Sequence, residues 1–198
     1  MSSRLNDNFS NDLSKCVKLI LGGARSGKSH FAEQAAKDSG KDVIYIATAT
    51  VYDDEMQQRI DRHIEDRPSH WQTIEEPLQL AQVIQQYDQE NTCLLVDCLT
   101  LWLSNILMTE SPSIHTDQVS TSQETVKSLT AYKAELLQAL SESRAEIILV
   151  SNEVGQGIVP MGELSRRFVD EAGWLHQDIA RIAQQVTLVV AGLPMQLK

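Results

Sequence analysis

The chain has 198 residues, 42% of them apolar, and a formal net charge of -10. That length holds one full hydrophobic core and is short for two, and the acidic balance argues against broad binding to nucleic acid or to an acidic membrane surface, both of which are driven by positive patches. Three cysteines, Cys16, Cys93 and Cys98, form no CxxC pair, so they suit free thiols in a reducing compartment better than a zinc site.

Residues 1–15 are polar, rich in Asn, Asp and Ser, and lack the apolar centre of a signal peptide. No apolar run approaches the ~18 residues of a membrane span. A frayed tail over 1–15, one catalytic domain over 16–198 and a cytoplasmic location are therefore expected. The first apolar run, 17–21, leads into Gly22-Gly23-Ala24-Arg25-Ser26-Gly27-Lys28-Ser29, which fits G-x-x-x-x-G-K-[ST] between a strand-like and a helix-like stretch. In such a loop the glycines let successive N–H groups curl around an anion, and the following helix adds its positive N-terminal end. Lys28 then reaches the β- and γ-phosphates of a nucleotide, and Ser29 a magnesium ion.

A helix over 30–37 continues the loop, and a second strand is expected over 43–47, followed by Thr48-Ala49-Thr50. The unusual segment comes next, Asp53 to Pro68. If it is helical, Met56, Arg59 and His63 share one face, and Pro68 turns the chain out of helix near Arg67. Arg59, Arg62 and Arg67 then crowd one imidazole. Nearby cations favour neutral histidine, leave a ring nitrogen nucleophilic and hold phosphate oxygens. The same residues also fit a solvated helix face of alternating charge.

After Pro77, Leu80, Val83, Ile84 and Tyr87 recur at helical spacing, and Glu75 and Glu76 are placed to cap that helix. The third apolar run, 93–96, ends at Asp97. An acid there completes magnesium coordination opposite a phosphate loop, although an Asp after a strand also serves as a turn residue or cap. A Ser/Thr-rich exposed loop is expected over 109–122, and Thr121-Ser122-Gln123-Glu124 reads as a capping box for a helix over 125–143. A fourth strand over 146–150 leads to Ser151-Asn152-Glu153-Val154-Gly155-Gln156-Gly157, which is either a plain structural turn or a polar trio beside a substrate. Leu164, Phe168, Leu175, Ile179 and Ile182 mark a long helix, and 186–191 a fifth strand. His30, His70 and His115 have no ligand spacing around them, and Trp71 and Trp102 read as packing residues.

Strands alternating with helices predict an α/β domain of the P-loop NTPase type, a mainly parallel RecA-like sheet flanked by helices on both faces, with ligands at the C-terminal strand edge. The motifs taken together narrow the reading. Gly-Gly-Ala-Arg-Ser-Gly-Lys-Ser, Tyr45-Ile46-Ala47-Thr48, Asp54-Glu55-Met56, Arg59-Ile60-x-x-His63-x-x-x-Arg67-Pro68-x-x-Trp71, Val96-Asp97-Cys98-Leu99-Thr100 and Ser151-Asn152-Glu153-Val154-Gly155-x-Gly157-Ile158-Val159-Pro160 resemble the adenosylcobinamide kinase/adenosylcobinamide-phosphate guanylyltransferase family over residues 16–198.

The resemblance implies two reactions in one protein of cobalamin biosynthesis. The γ-phosphate of ATP or GTP goes to the aminopropanol hydroxyl of adenosylcobinamide, and GTP then supplies GMP to adenosylcobinamide phosphate. It places the guanylylated histidine at His63 and guanine-nucleotide contacts at Thr48, Ala49, Thr50, Ile64, Glu65, Asp66, Arg67, Glu75 and Asp97, beside the loop residues Gly22 to Ser29. It also implies Mg2+ held by Ser29 and Asp97, and a homo-oligomer, with a trimer as one form. One departure stands out: His176 occupies the position of an expected Asn in Gly173-Trp174-Leu175-His176-Gln177, which bears on corrinoid preference if that position contacts substrate. Two rival readings remain, a P-loop kinase of another small alcohol without nucleotidyl transfer, and a GTP-dependent switch that recruits partners.

Overall fold

A computed structural model describes residues 16–50, 68–110 and 127–198. In chain order the elements are β1 (Cys16–Gly22), α1 (Lys28–Asp38), β2 (Asp42–Ala47), β3 (Gln72–Glu75), α2 (Leu80–Gln86), β4 (Thr92–Asp97), α3 (Leu99–Glu110), α4 (Leu129–Glu142), β5 (Glu146–Asn152), α5 (Glu163–Ile182), β6 (Gln185–Val190) and β7 (Leu193–Gln196). The strands form one sheet in the order β3-β2-β4-β5-β1-β6-β7. Every neighbouring pair is parallel except β6 and β7, which are antiparallel. The chain thus folds as a mainly parallel P-loop NTPase-type sheet, with β5 inserted between the loop-bearing strand β1 and β4 as in the RecA-like order.

The interior strands are apolar runs because both sheet faces are covered. On one face Ile20, Tyr45, Leu95 and Ile148 pack under Ala32 and Ala36 of α1 and under Trp71. On the other, Leu19, Leu21, Ile46, Val96 and Leu149 meet Leu80 and Ile84 of α2, Trp102 and Ile106 of α3, Leu136 of α4 and Leu175 and Ile179 of α5. Trp71 and Trp102 are both buried packing residues, the latter donating its indole N–H to the Leu78 carbonyl at 2.8 Å. None of the described helices is long and apolar enough to cross a membrane.

Four features differ from the sequence reading. The helix expected from 125 begins at Leu129, capped by Ser128, whose hydroxyl accepts the Ala131 N–H at 3.3 Å; the Thr121 to Glu124 box lies outside the described residues. Helix α3 runs on through Thr109 and Glu110, where a loop was expected. Strands β3 and β7 had no sequence signal of the expected kind, and α3, whose Leu99, Trp102, Leu103, Ile106 and Leu107 recur at helical spacing, was not among the expected elements. Ala191 leaves the fifth predicted strand and turns with φ 52 into Gly192.

Candidate functional site

The C-terminal edge of the sheet collects the residues of interest. Strand register puts Glu75, Ala47, Asp97, Val150 and Ile20 in one row across β3, β2, β4, β5 and β1, with Gly22 paired to Asn152 two residues further on. Neighbouring strands are ~4.8 Å apart, so Asp97 stands roughly 10 Å from β1 and Glu75 roughly 19 Å along the edge.

The loop from Gly22 to Ser29 is shaped by close approach. A Cβ on Gly22 would come within 2.4 Å of Ser26 Oγ and 2.7 Å of the Val189 carbonyl, so only glycine fits. Gly27 caps α1 at φ 93, a left-handed conformation that glycine adopts without strain. The Ser26 N–H donates to the Gly23 carbonyl at 3.2 Å, and the Ser26 carbonyl accepts the Gly192 N–H at 2.8 Å, which anchors the loop to the β6–β7 hairpin. Gly23, Ala24 and Arg25 form the exposed outer rim. Lys28 is largely buried and lies over the loop, its ammonium donating to the Gly23 carbonyl at 3.2 Å. Ser26 Oγ is buried with no hydrogen-bond partner among the described residues. An orphaned hydroxyl, a buried ammonium and a helix N-terminus in one glycine-bounded turn fit an anion of phosphate character.

Thr48 fixes the Asp97 turn from β2. It is fully buried, its hydroxyl donates to the Cys98 carbonyl at 2.7 Å and accepts the Cys98 N–H at 2.8 Å, and its own N–H donates to the Asp97 carbonyl at 3.2 Å. That hydroxyl is spent on holding the turn, and Ala49 and Thr50, both half-buried, continue the segment. Asn105 of α3 ties the same region to the next turn, donating from Nδ2 to the Thr48 carbonyl at 2.8 Å and the Pro77 carbonyl at 3.2 Å. Sequence reasoning missed Asn105, which sits between the apolar residues Leu103 and Ile106 of α3 and had no partner in the linear pattern.

Asp97 itself is half-buried at the end of β4. Burial pushes the adjacent Cys98 thiol up to about 11, the Asp97 carboxylate adds to that, and Lys28 opposes it. The thiol is therefore not a nucleophile at neutral pH. Among the described residues, no group of three or more His, Cys, Asp or Glu side chains could hold a metal ion alone. The Ser29 hydroxyl and the Asp97 carboxylate are each hard oxygen ligands of the type magnesium prefers.

The Glu75 and Glu76 alternative resolves by division of labour. Glu76 Oε1 accepts the Leu78 N–H at 2.9 Å and the Gln79 N–H at 2.7 Å, so it makes the turn ahead of α2. Glu75 remains exposed at the tip of β3. His63, Ile64, Glu65, Asp66 and Arg67 lie outside the described residues, as do Arg59, Arg62 and His115. His30 and His70 are exposed.

His176 gave no sequence signal beyond its departure from pattern. It is 7% exposed and points inward from α5, its Nε2 2.7 Å from Ser151 Oγ.

Residues 18–197 match the family described as cobinamide kinase / cobinamide phosphate guanyltransferase. The chain is 53% identical over 180 residues to the bifunctional adenosylcobalamin biosynthesis protein CobP of Pseudomonas aeruginosa, covering 91% of this chain and 96% of that one. It is 39% identical over 180 residues to the bifunctional adenosylcobalamin biosynthesis protein CobU of Escherichia coli K12, covering 91% and 98%. Among solved structures, the assembled ATPase EscN of the enteropathogenic E. coli type III secretion system, in complex with its central stalk EscO, superposes with a TM-score of 0.51 at 14% identity over 88% of this chain and 42% of that one, a likeness of fold alone.

Proposed function

Because this chain belongs to the cobinamide kinase / cobinamide phosphate guanyltransferase family, we propose that it phosphorylates adenosylcobinamide with ATP or GTP and then transfers GMP from GTP to adenosylcobinamide phosphate, giving adenosylcobinamide-GDP and pyrophosphate. The observation that carries this reading is the phosphate loop, with the buried Lys28 and the unpartnered Ser26 hydroxyl at the same sheet edge as Asp97. A switch protein needs such a loop too; the family match over nearly the whole chain favours transfer to a small acceptor.

In the kinase step the loop N–H groups and Lys28 hold the β- and γ-phosphates and stabilise the charge that develops as the γ-phosphoryl leaves ADP or GDP for the acceptor hydroxyl. In the second step His63 is the nucleophile. It attacks the α-phosphorus of GTP, the P–O bond to pyrophosphate breaks, and a histidine-GMP phosphoramidate forms. The corrinoid phosphate then attacks the same phosphorus and releases His63, which divides one difficult displacement into two. Ser29 and Asp97 would hold Mg2+, which supplies charge neutralisation on the phosphates. Thr48 to Thr50, Ile64 to Arg67 and Glu75 are assigned to the guanine nucleotide. Glu75, exposed and freed from capping by Glu76, is the carboxylate available to accept the two N–H groups of a guanine edge.

A homo-oligomer belongs to the same proposal, supported by Ile158, Val159 and Met161, which are 98%, 68% and 94% exposed on the segment after β5. The test of function follows label from γ-labelled ATP onto adenosylcobinamide, then adds GTP and measures pyrophosphate and the corrinoid nucleotide. Both transfers are expected. Label on the corrinoid with no pyrophosphate would leave an adenosylcobinamide kinase without nucleotidyl transfer, and no label on the corrinoid would leave a kinase of another small alcohol or the switch.

A further inference from the structure

Three consecutive residues at the end of β5 each reach a different part of the site. Ser151 is fully buried and its Oγ lies 2.7 Å from His176 Nε2 on α5. Asn152 Nδ2 donates to Thr100 Oγ1 at 3.3 Å, and Thr100 Oγ1 lies 3.1 Å from Cys98 Sγ, beside Asp97. The Glu153 N–H donates to the Gly22 carbonyl at 3.0 Å, at the entrance to the phosphate loop. The tripeptide thus spans the loop and the metal-site acid, and it is tied to the helix layer at Thr100 of α3 and at the buried His176 of α5.

The same imidazole faces the tripeptide twice. His176 Nδ1 lies 3.8 Å from Glu153 Oε2, while Glu153 Oε1 accepts the Gly155 N–H at 2.7 Å. With a carboxylate facing Nδ1, the ring proton belongs on Nδ1, and Nε2 accepts the Ser151 O–H. Burial holds His176 below its usual range and Glu153 works against that, so the neutral ring persists at neutral pH. Each ring nitrogen of a buried histidine needs a partner, and here both, Ser151 at Nε2 and the Glu153 carboxylate facing Nδ1, come from the one tripeptide that touches the phosphate loop.

We propose that His176 is a positioning residue for phosphoryl transfer, holding Ser151 and the Glu153 carboxylate so that residues 151–153 keep the phosphate loop and the Asp97 turn in register. The inference rests on the function proposed above. It concerns the step in which loop and acid must act on one nucleotide together, so its signature is in kcat more than in nucleotide affinity, because misplaced groups cost transition-state stabilisation before they cost binding.

The experiment measures kinase-step kcat and KM for ATP with adenosylcobinamide as acceptor in wild type, His176→Leu, His176→Gln, Ser151→Ala and the Ser151→Ala/His176→Leu double variant, each checked for folding by circular dichroism. His176→Leu is expected to lower kcat at least tenfold with KM for ATP within about twofold. His176→Gln, which keeps a polar group toward Ser151, recovers most of the loss, and the double variant is no worse than the poorer single. A folded His176→Leu protein with wild-type kcat, or a loss that Gln does not relieve, or additive losses in the double variant, would overturn the proposal. Should His176→Leu fail to fold, Ser151→Ala and Glu153→Gln carry the test, with the same kcat loss expected and unchanged kcat in both counting against it. Wild-type turnover in the same assay reports on the function itself. If wild type does not phosphorylate adenosylcobinamide, the variant-to-wild-type ratio is read on the enzyme's own ATP hydrolysis instead.

Discussion

Replacing Thr48 by valine removes one hydroxyl and leaves the shape of the side chain nearly unchanged. In the folded protein that hydroxyl accepts the Cys98 N–H at 2.8 Å and donates to the Cys98 carbonyl at 2.7 Å, with Thr48 fully buried. The two losses are unequal. The Cys98 carbonyl also accepts the Trp102 N–H at 3.2 Å and so stays partnered. Among the described residues the Cys98 N–H has no such second partner and is left orphaned in a buried site, at a cost of about 1–3 kcal/mol, to which the weakened carbonyl adds about half a kcal/mol or more. We therefore expect Thr48→Val to destabilise by about 2–3 kcal/mol, a drop in Tm of roughly 5–10 °C for a chain of this size. Thr48→Ser keeps the hydroxyl and loses one buried methyl, about 1 kcal/mol. Urea unfolding of wild type and both variants, with m held equal, reads the difference directly. Valine within about half a kcal/mol of wild type, or serine as harmful as valine, would refute the claim that Thr48 acts through its hydroxyl on the Asp97–Cys98 turn.

Gly22→Ala puts a Cβ 2.4 Å from Ser26 Oγ and 2.7 Å from the Val189 carbonyl, whereas a Cβ on Gly23 meets nothing within 4 Å. Titration with a fluorescent nucleotide should show affinity falling at least tenfold for Gly22→Ala and little change for Gly23→Ala; equal effects would contradict the close-approach argument. Asp88 governs an acid-sensitive contact far from the site. Burial works to raise its carboxyl, but the Ala145 N–H, the Ser143 hydroxyl and the Arg144 N–H outweigh that and hold it below the usual range. A lowered folded-state pKa means its stabilisation is complete above the unfolded value of ~3.9 and is lost as pH falls through the folded value. Asp88→Asn should accordingly lose less stability than wild type between about pH 5 and pH 2 in chemical denaturation; parallel curves would remove Asp88 from the account.

The central strands were readable because a parallel strand covered on both faces is an apolar run, unbroken over 43–47 in β2, 93–96 in β4 and 147–150 in β5 and interrupted only by Lys18 in β1 and Thr187 in β6. Strand β3 escaped because Gln72-Thr73-Ile74-Glu75 is short and mostly exposed at the sheet edge. β7, Leu193-Pro194-Met195-Gln196, is wholly exposed and carries a proline that a ladder tolerates only at its edge. Helix α3 does carry a helical stripe, Leu99, Trp102, Leu103, Ile106 and Leu107, but Leu101 and Met108 on its other face blur the contrast, and the sequence reading did not include it. The phosphate loop was legible because its chemistry is local in sequence. The Thr48 clamp, the Asn105 bridge and the Ser151–His176 pair were not, because each joins residues at least 25 positions apart and exists only once the sheet has brought strand ends together.

The central claim is nucleotidyl transfer through a histidine. Purified protein mixed with magnesium and GTP labelled at the α-phosphorus, then denatured, should carry acid-labile, base-stable label that is absent from His63→Ala protein. Wild-type protein that binds GTP and retains no label, or a His63→Ala variant labelled as strongly as wild type, would contradict it.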